Sequence, residues 1–170
     1  MENKIGIIPN INVSAATGPK EYCILLTDLR AIFVMENASH AMLGMMVGGA
    51  VGAIGASLLS SKKTVDYENV DVEHLASDKK NIVILYSDIQ KIRIKKSFAS
   101  PYILYFEYIN SNNGKNRKIT AAIVPPKEQI KQKKKDGIKT KAINEEYAQN
   151  VQNALKNALP QSVVIKSDWI

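Results

Sequence analysis

Residues 41–59 carry no charged side chain, and this run constrains the fold more than any other stretch of the chain. As an α-helix it would be ~28 Å long, close to the ~30 Å hydrocarbon thickness of a bilayer. Gly44, Gly48 and Gly52 recur at every fourth position and would line one side of such a helix. Small residues let a second helix approach closely, as in helices that associate in lipid. The run is therefore predicted to contact a membrane or another helix.

The same glycines leave two further interpretations open. Each glycine in a helix exposed to water costs ~1 kcal/mol relative to alanine, so a break at Gly48-Gly49 would give two short helices packed on each other or on the domain. A helix that self-associates through its glycines is the other interpretation. The residues predicted at a membrane contact or a self-association interface are Gly44, Gly48, Gly49, Gly52, Gly55, Met45, Met46, Leu58 and Leu59.

The charge and the cysteine content of the chain limit its partners and its compartment. Of 170 residues, 23 are Lys or Arg and 16 are Asp or Glu, which gives a net charge of +7. A positive surface attracts lipid headgroups, nucleic acid or acidic proteins. A chain of this length is expected to form one domain, residues 1–170. Cys23 is the only cysteine, which excludes an internal disulfide and indicates a reducing, cytoplasmic compartment.

Short apolar and alternating segments predict an antiparallel sheet on both sides of the apolar run. Residues 22–26 and 31–35 are apolar and are joined by a short polar link, as in a hairpin. Pro9 in the first strand indicates an edge strand or a kink. Further strands are predicted at residues 5–13, 81–86, 89–95, 102–109 and 117–124, with a hairpin turn at residues 112–115.

The chain after the sheet is rich in lysine and then shows a helical pattern. Residues 125–141 are predicted to be a solvated basic linker. Ile143, Tyr147 and Val151 begin a repeat of apolar positions that predicts a C-terminal helix over residues 142–159. The residues predicted to bind an anionic partner are Lys62, Lys63, Lys131, Lys133, Lys134 and Lys135.

Two stretches resemble the strands of prokaryotic pleckstrin-homology-like and GRAM-like domains. ILLTDLRAIFV at residues 24–34 resembles their strand–turn–strand, and DKKNIVILYSDIQKIRI at residues 78–94 is similar to their later strands. The resemblance implies a mainly β fold with α (α+β), namely a bent antiparallel sheet or partly open barrel capped by the C-terminal helix. It also implies a module that binds phospholipid headgroups or protein partners rather than an enzyme. Residues 38–63 depart from the family pattern as a glycine-rich apolar insert.

This fold restricts how the insert could meet a membrane. A single crossing would place the first strands and the later strands on opposite sides of the bilayer, and a two-stranded hairpin alone is marginal in water. We therefore expect a helical hairpin, or a re-entrant or surface-lying element, that leaves and returns on the same side. Lys62 and Lys63 would then lie at headgroup level, where each cation contributes about 1 kcal/mol near an anionic leaflet.

No set of residues has the spacing of a catalytic or metal site. His40, His74 and Cys23 lack zinc-type spacing, and we expect His74 to be solvated and Cys23 to be a small buried apolar residue. The glycine-rich run lacks the Gly-Lys-Ser/Thr ending of a phosphate loop. The sequence therefore predicts neither an enzyme nor a cofactor nor a bound metal.

Nucleic acid is an alternative partner for a chain with this charge. The candidate basic positions are Lys91, Arg93, Lys95, Lys96, Arg117 and Lys118, and the candidate stacking residues are Tyr102, Tyr105, Phe106 and Tyr108. Alternation places Tyr102, Phe106 and Tyr108 on one strand face, which predicts a core position. We therefore favour a non-catalytic adaptor at the inner face of the cell membrane that binds phospholipid or a membrane protein. The alternatives are a soluble scaffold that forms a homo-oligomer through the glycine stripe and a nucleic-acid-binding domain.

Overall fold

The computed structural model describes residues 2–14, 19–36, 65–98 and 101–168. In these ranges the chain forms one open eight-stranded sheet and a long C-terminal helix, so the fold is mainly β with α, as predicted. The strands are β1 (Lys4–Val13), β2 (Lys20–Thr27), β3 (Arg30–Met35), β4 (Ile82–Leu85), β5 (Ile89–Lys95), β6 (Tyr102–Asn110), β7 (Lys115–Ile123) and β8 (Ile165–Ser167). The helices are α1 (Val72–Ser77), α2 (Lys127–Lys135) and α3 (Thr140–Ala158), and a 3-10 turn covers Tyr86–Asp88.

The strands lie in the order β4-β3-β2-β1-β7-β6-β5-β8. Neighbouring strands are antiparallel, except that β8 runs parallel to β5. The strand β1 joins two halves of the sheet, because Asn12 pairs with Glu21 of β2 and also with Ala122 of β7. We call β1 to β4 the first half and β5 to β8 the second half.

The sheet bends so that its two halves share one core. The rings of Phe33 in β3 and Phe106 in β6 lie 5.4 Å apart, edge to face, although three strands separate β3 from β6 in the sheet order. Val151 and Leu155 of α3 are buried in the same core. The Tyr147 hydroxyl donates a 2.9 Å hydrogen bond to the carbonyl oxygen of Pro9. The C-terminal helix thus packs against β1 and β2 as well as β6 and β7.

A second apolar cluster lies on the other face of the first half. Cys23 and Leu25 of β2 are fully buried there. Residues 65–77 cover them and contribute the buried side chains of Tyr67 and Leu75. The first half therefore has both faces buried, whereas no segment among the described residues covers the corresponding outer face of the second half.

Pro9 lies at a kink, which is one of the two positions predicted for it. The strand β1 is flanked by β2 and β7, so it is not an edge strand. Its register with β2 shifts between Ile8 and Ile11, and Asn10 between them has a φ of +55°. Proline has no N–H to donate, and because the ladder is irregular at this point it does not require a donor there.

The region predicted as a basic linker contains the helix α2. Lys, Glu and Gln are good helix formers, and Pro126 precedes the first turn, where its missing N–H costs little. Gly137 then has a φ of +79° and separates α2 from α3. The helix α3 agrees within two residues with the prediction over residues 142–159. None of the helices in the described ranges is long and apolar enough to cross a bilayer.

Candidate functional site

Most residues predicted at a membrane contact fall in a part of the chain that the structure does not describe. The nine Gly, Met and Leu positions of the apolar run, together with Lys62, Lys63 and His40, lie within residues 37–64. Both flanks of this segment are described. They show where the segment leaves the sheet and where the chain returns to it.

The two flanks are held together on the first half of the sheet. Glu36 follows β3, and its backbone N–H donates a 2.9 Å hydrogen bond to the carbonyl of Glu21. Tyr67 is 1% exposed, and its hydroxyl donates a 2.8 Å hydrogen bond to Oε1 of Glu36. Beyond this contact β4 pairs with β3, with Phe33 opposite Ile82. The chain therefore leaves and re-enters the domain at one place.

Burial controls the electrostatics of this contact. It raises the pKa of the half-buried Glu36 to about 7, against the hydrogen bond from Tyr67, and the nearby Glu21 raises it further. Burial also raises the pKa of Tyr67 and, with Glu36, that of the Cys23 thiol. Oε2 of Glu36 is buried and has no hydrogen-bond partner among the described residues. The Lys4 ammonium donates a hydrogen bond to the backbone carbonyl of Tyr67.

The described residues contain no group of His, Cys, Asp and Glu side chains that could hold a metal ion. Cys23 is fully buried as a free thiol, as predicted, and His74 is exposed on α1, also as predicted. Asp28 accepts hydrogen bonds from Asn3, and Arg30 pairs with Glu2. These side chains stabilise the hairpin and the N-terminal strand.

The predicted anion-binding lysines that are described all lie on α2. Lys131, Lys134 and Lys135 are exposed, whereas Lys133 is half-buried and forms an ion pair with Glu146 of α3. This ion pair holds α2 against the C-terminal helix. The three exposed lysines face solvent and form no ion pair with the described carboxylates.

Phe98, which sequence patterns did not single out, is fully exposed in the loop between β5 and β6. Lys95 and Lys96 lie shortly before it, separated from it by Ser97. Tyr102, the first residue of β6, pairs with Ile123, the last residue of β7, so this loop and the connection to α2 leave the sheet side by side. The only sequence signal for Phe98 is a lone aromatic residue in a polar loop that follows two lysines.

The neighbouring residues Glu145 and Glu146 of α3 link this end of the sheet to α2. The carboxyl of Glu145 interacts with the Tyr102 side chain, whose pKa is raised by burial and by this carboxylate. Glu146, the next residue along α3, holds Lys133 of α2. Phe98, Lys96 and the exposed lysines of α2 therefore lie towards one end of the second half, and we call them the loop–α2 surface.

The basic residues considered for nucleic acid divide between two faces of the second half. Lys91, Arg93 and Lys95 lie on the outer face, and Lys118 shares it. Lys96 belongs to the loop that carries Phe98. Arg117 pairs with Tyr108 of β6 and therefore belongs to the other face of the sheet, not to the outer face. Of the candidate stacking residues, Tyr102, Phe106 and Tyr108 are buried in the core, as alternation predicts, and Tyr105 lies on the outer face.

The loop–α2 surface combines positive charge with one exposed aromatic ring. Such a surface can bind an anionic partner that also accepts an apolar side chain. Comparison of the sequence with protein-family models and with curated proteins, and of the structure with solved structures, finds no match.

Proposed function

We propose that this chain is a non-catalytic, membrane-associated adaptor with a pleckstrin-homology-like fold, acting at the cytoplasmic face of the cell membrane. The strand order, the contact between Phe33 and Phe106 across the bend and the C-terminal helix support the proposed fold. The observation that carries the proposed function is the loop–α2 surface. The ligand in this proposal is anionic phospholipid.

The chemistry of the loop–α2 surface matches the two layers of a bilayer interface. Phe98 is fully exposed and can enter the boundary between headgroups and acyl chains. Burying a phenylalanine side chain contributes about 1.5–3 kcal/mol. Each lysine close to an anionic leaflet contributes about 1 kcal/mol. An apolar side chain and several cations together give firmer binding than either provides alone.

The segment 37–64 is the second contact in this proposal. Its flanks meet at the hydrogen bond between Tyr67 and Glu36, and the strands on either side of it, β3 and β4, are paired. A single crossing would need these paired strands on opposite sides of the membrane. An insert that enters lipid must therefore return to the side from which it came.

Flotation with vesicles tests the proposal. Wild-type protein should float with vesicles of phosphatidylglycerol and phosphatidylcholine. Replacing Phe98 by Ser should weaken binding by roughly tenfold or more, because apolar burial is lost. Reversing Lys134 and Lys135 to Glu should weaken it by roughly thirtyfold or more, because two cations are lost and two anions are added. High salt should abolish the effect of the lysines and leave the effect of Phe98.

The matched control reverses Lys115 and Arg117 to Glu. These residues are exposed at the opposite end of the β6–β7 hairpin, and the pair makes the same change in net charge as the reversal in α2. The control should float like the wild type. If it loses binding as much as the α2 variant does, the attraction depends on net charge only and the loop–α2 surface is not the contact.

A further inference from the structure

The outer face of β5, β6, β7 and β8 carries a cluster of cations around one tyrosine. Arg93 lies between Lys166 of β8 and Tyr105 of β6 in a single row across three strands. Lys91 and Lys95 lie two residues to either side of Arg93 on β5. Neighbouring strands are ~4.8 Å apart and alternate side chains ~6.6 Å apart along a strand. The cations therefore surround Tyr105, and we call this the basic sheet face.

Lys118 completes the cluster from β7. Its ammonium lies over the Tyr105 ring, 4.6 Å from the ring centroid. Glu107 is opposite both Lys91 and Lys118 in the register, yet the ion pairs among the described residues include none of the five cations. The face thus has an excess of positive charge that the described carboxylates do not neutralise.

We propose that the basic sheet face binds single-stranded nucleic acid, a function beyond membrane attachment. A chain of phosphates supplies several anions in sequence, which matches cations spread over four strands. A base can stack on Tyr105 in the place now taken by the Lys118 ammonium, which then becomes available to a phosphate. Charge complementarity with an aromatic ring at its centre therefore selects an extended, unpaired strand as the occupant.

The described part of the chain leaves this face accessible. Residues 65–77 cover the outer face of the first half, and no described segment covers that of the second half. Tyr105 is half-buried by its neighbours in the sheet, and Lys118 and Lys166 are exposed. The loop–α2 surface lies at the end of the strands rather than on their face, so a strand of nucleic acid on the sheet would leave that surface uncovered.

Fluorescence anisotropy with a labelled oligothymidine of about fifteen nucleotides tests the proposal on the full chain. Replacing Tyr105 by Thr keeps a residue that favours strands and removes the ring, and should weaken binding by roughly tenfold or more. Replacing it by Phe keeps the ring and should retain the affinity. Reversing Arg93 and Lys166 to Glu should weaken binding and make the dependence of log Kd on log salt shallower by about 1.4.

The control reverses Lys79 and Lys80, which are exposed in the turn before β4, to Glu. Equal loss in this control and in the Arg93/Lys166 variant would overturn the proposal, since binding would then follow net charge alone. Unchanged binding by the Tyr105→Thr variant would also overturn it. Polyglutamate, vesicles containing phosphatidylglycerol, or a duplex of the same length competing as well as unlabelled oligothymidine would each assign the face to a different partner and contradict the proposal.

Discussion

The Tyr67 hydroxyl donates a 2.8 Å hydrogen bond to Oε1 of Glu36, and this bond joins two residues that flank residues 37–64. Both side chains lie against the apolar cluster on the outer face of the first half, where Cys23 is completely buried. Burial therefore both positions the carboxyl group and raises its pKa to about 7. Stability and pH are coupled at the place where the chain leaves the sheet.

The stability of the protein should fall as pH rises from about 4.5 to about 7. An unfolded glutamate loses its proton near 4.5, whereas burial keeps the folded Glu36 protonated to about 7. In this interval the folded state binds more protons than the unfolded state, so the free energy of unfolding decreases with pH. Above the folded pKa this contribution is constant. Urea unfolding at a series of pH values measures the slope.

Replacing Glu36 by Gln should remove this slope. The amide oxygen can still accept the hydrogen bond from Tyr67, and no charge develops at high pH. After allowance for partial solvent screening, we expect the variant to be more stable than the wild type by about 1–2 kcal/mol at about pH 8. At about pH 4 the two proteins should have similar stability. An unchanged pH slope in the variant would show that another group is responsible.

Truncating Phe106 should destabilise the domain strongly. Its ring lies 5.4 Å from that of Phe33 and is fully buried between the two halves of the sheet. Replacing Phe106 by Ala should lower the free energy of unfolding by about 3–5 kcal/mol, and replacing it by Leu should cost less because the cavity is smaller. Chemical denaturation measures both. Equal losses in the two variants would indicate that the ring's volume is not what joins the halves.

The strands and their faces could be predicted from sequence because side chains alternate with a period of two. Ile92 and Ile94 are buried and Lys91 and Arg93 are on the outer face, as the pattern predicted. The pattern also predicted that Tyr102 lies in the core and not on a binding surface, and Tyr102 is buried. Local spacing is sufficient for such assignments, since each depends only on neighbours along one strand.

Features that depend on distant parts of the chain could not be predicted. Tyr67 lies in a polar stretch, yet it is buried because that stretch folds over the outer face of β2. The pKa of Glu36, the hydrogen-bond partner of Tyr67, is raised by burial, which also depends on distant parts of the chain. The exposure of Phe98 depends on how two connections leave the sheet. Composition indicated a solvated basic segment at residues 125–141, but an ion pair to Glu146 helps to hold α2 in place.

Arg30 should stabilise the N-terminal strand through a charge pair that solvent reaches poorly. Its Nε donates a 3.0 Å hydrogen bond to Glu2, whose side chain is 7% exposed, and its guanidinium also contacts Glu73. Burial raises the pKa of Glu2, but the hydrogen bonds from Arg30 and Thr27 and the charge of Arg30 together outweigh burial and leave the pKa lowered. The contribution of the pair is therefore present at neutral pH and is lost as pH falls through the folded pKa of Glu2.

Replacing Arg30 by Met should lower the free energy of unfolding by about 2 kcal/mol at neutral pH, because Glu2 is left largely buried without its partner. Combining this change with Glu2→Gln should recover part of the loss. Replacing Arg30 by Lys should cost an intermediate amount, since an ammonium cannot form the bidentate contact. A double variant that is as unstable as Arg30→Met would contradict the role assigned to the pair.

Asn10 should be specifically required at the kink beside Pro9. Its φ of +55° is a conformation that asparagine and glycine adopt far more readily than other residues. Asn10→Ala should therefore cost about 1 kcal/mol, whereas Asn10→Gly should cost less, because glycine adopts positive φ without strain and loses only in unfolded-state entropy. Thermal unfolding of the two variants gives the comparison. If alanine were tolerated as well as glycine, β1 would be able to straighten, and the irregularity at Pro9 would not be imposed by its pairing with both β2 and β7.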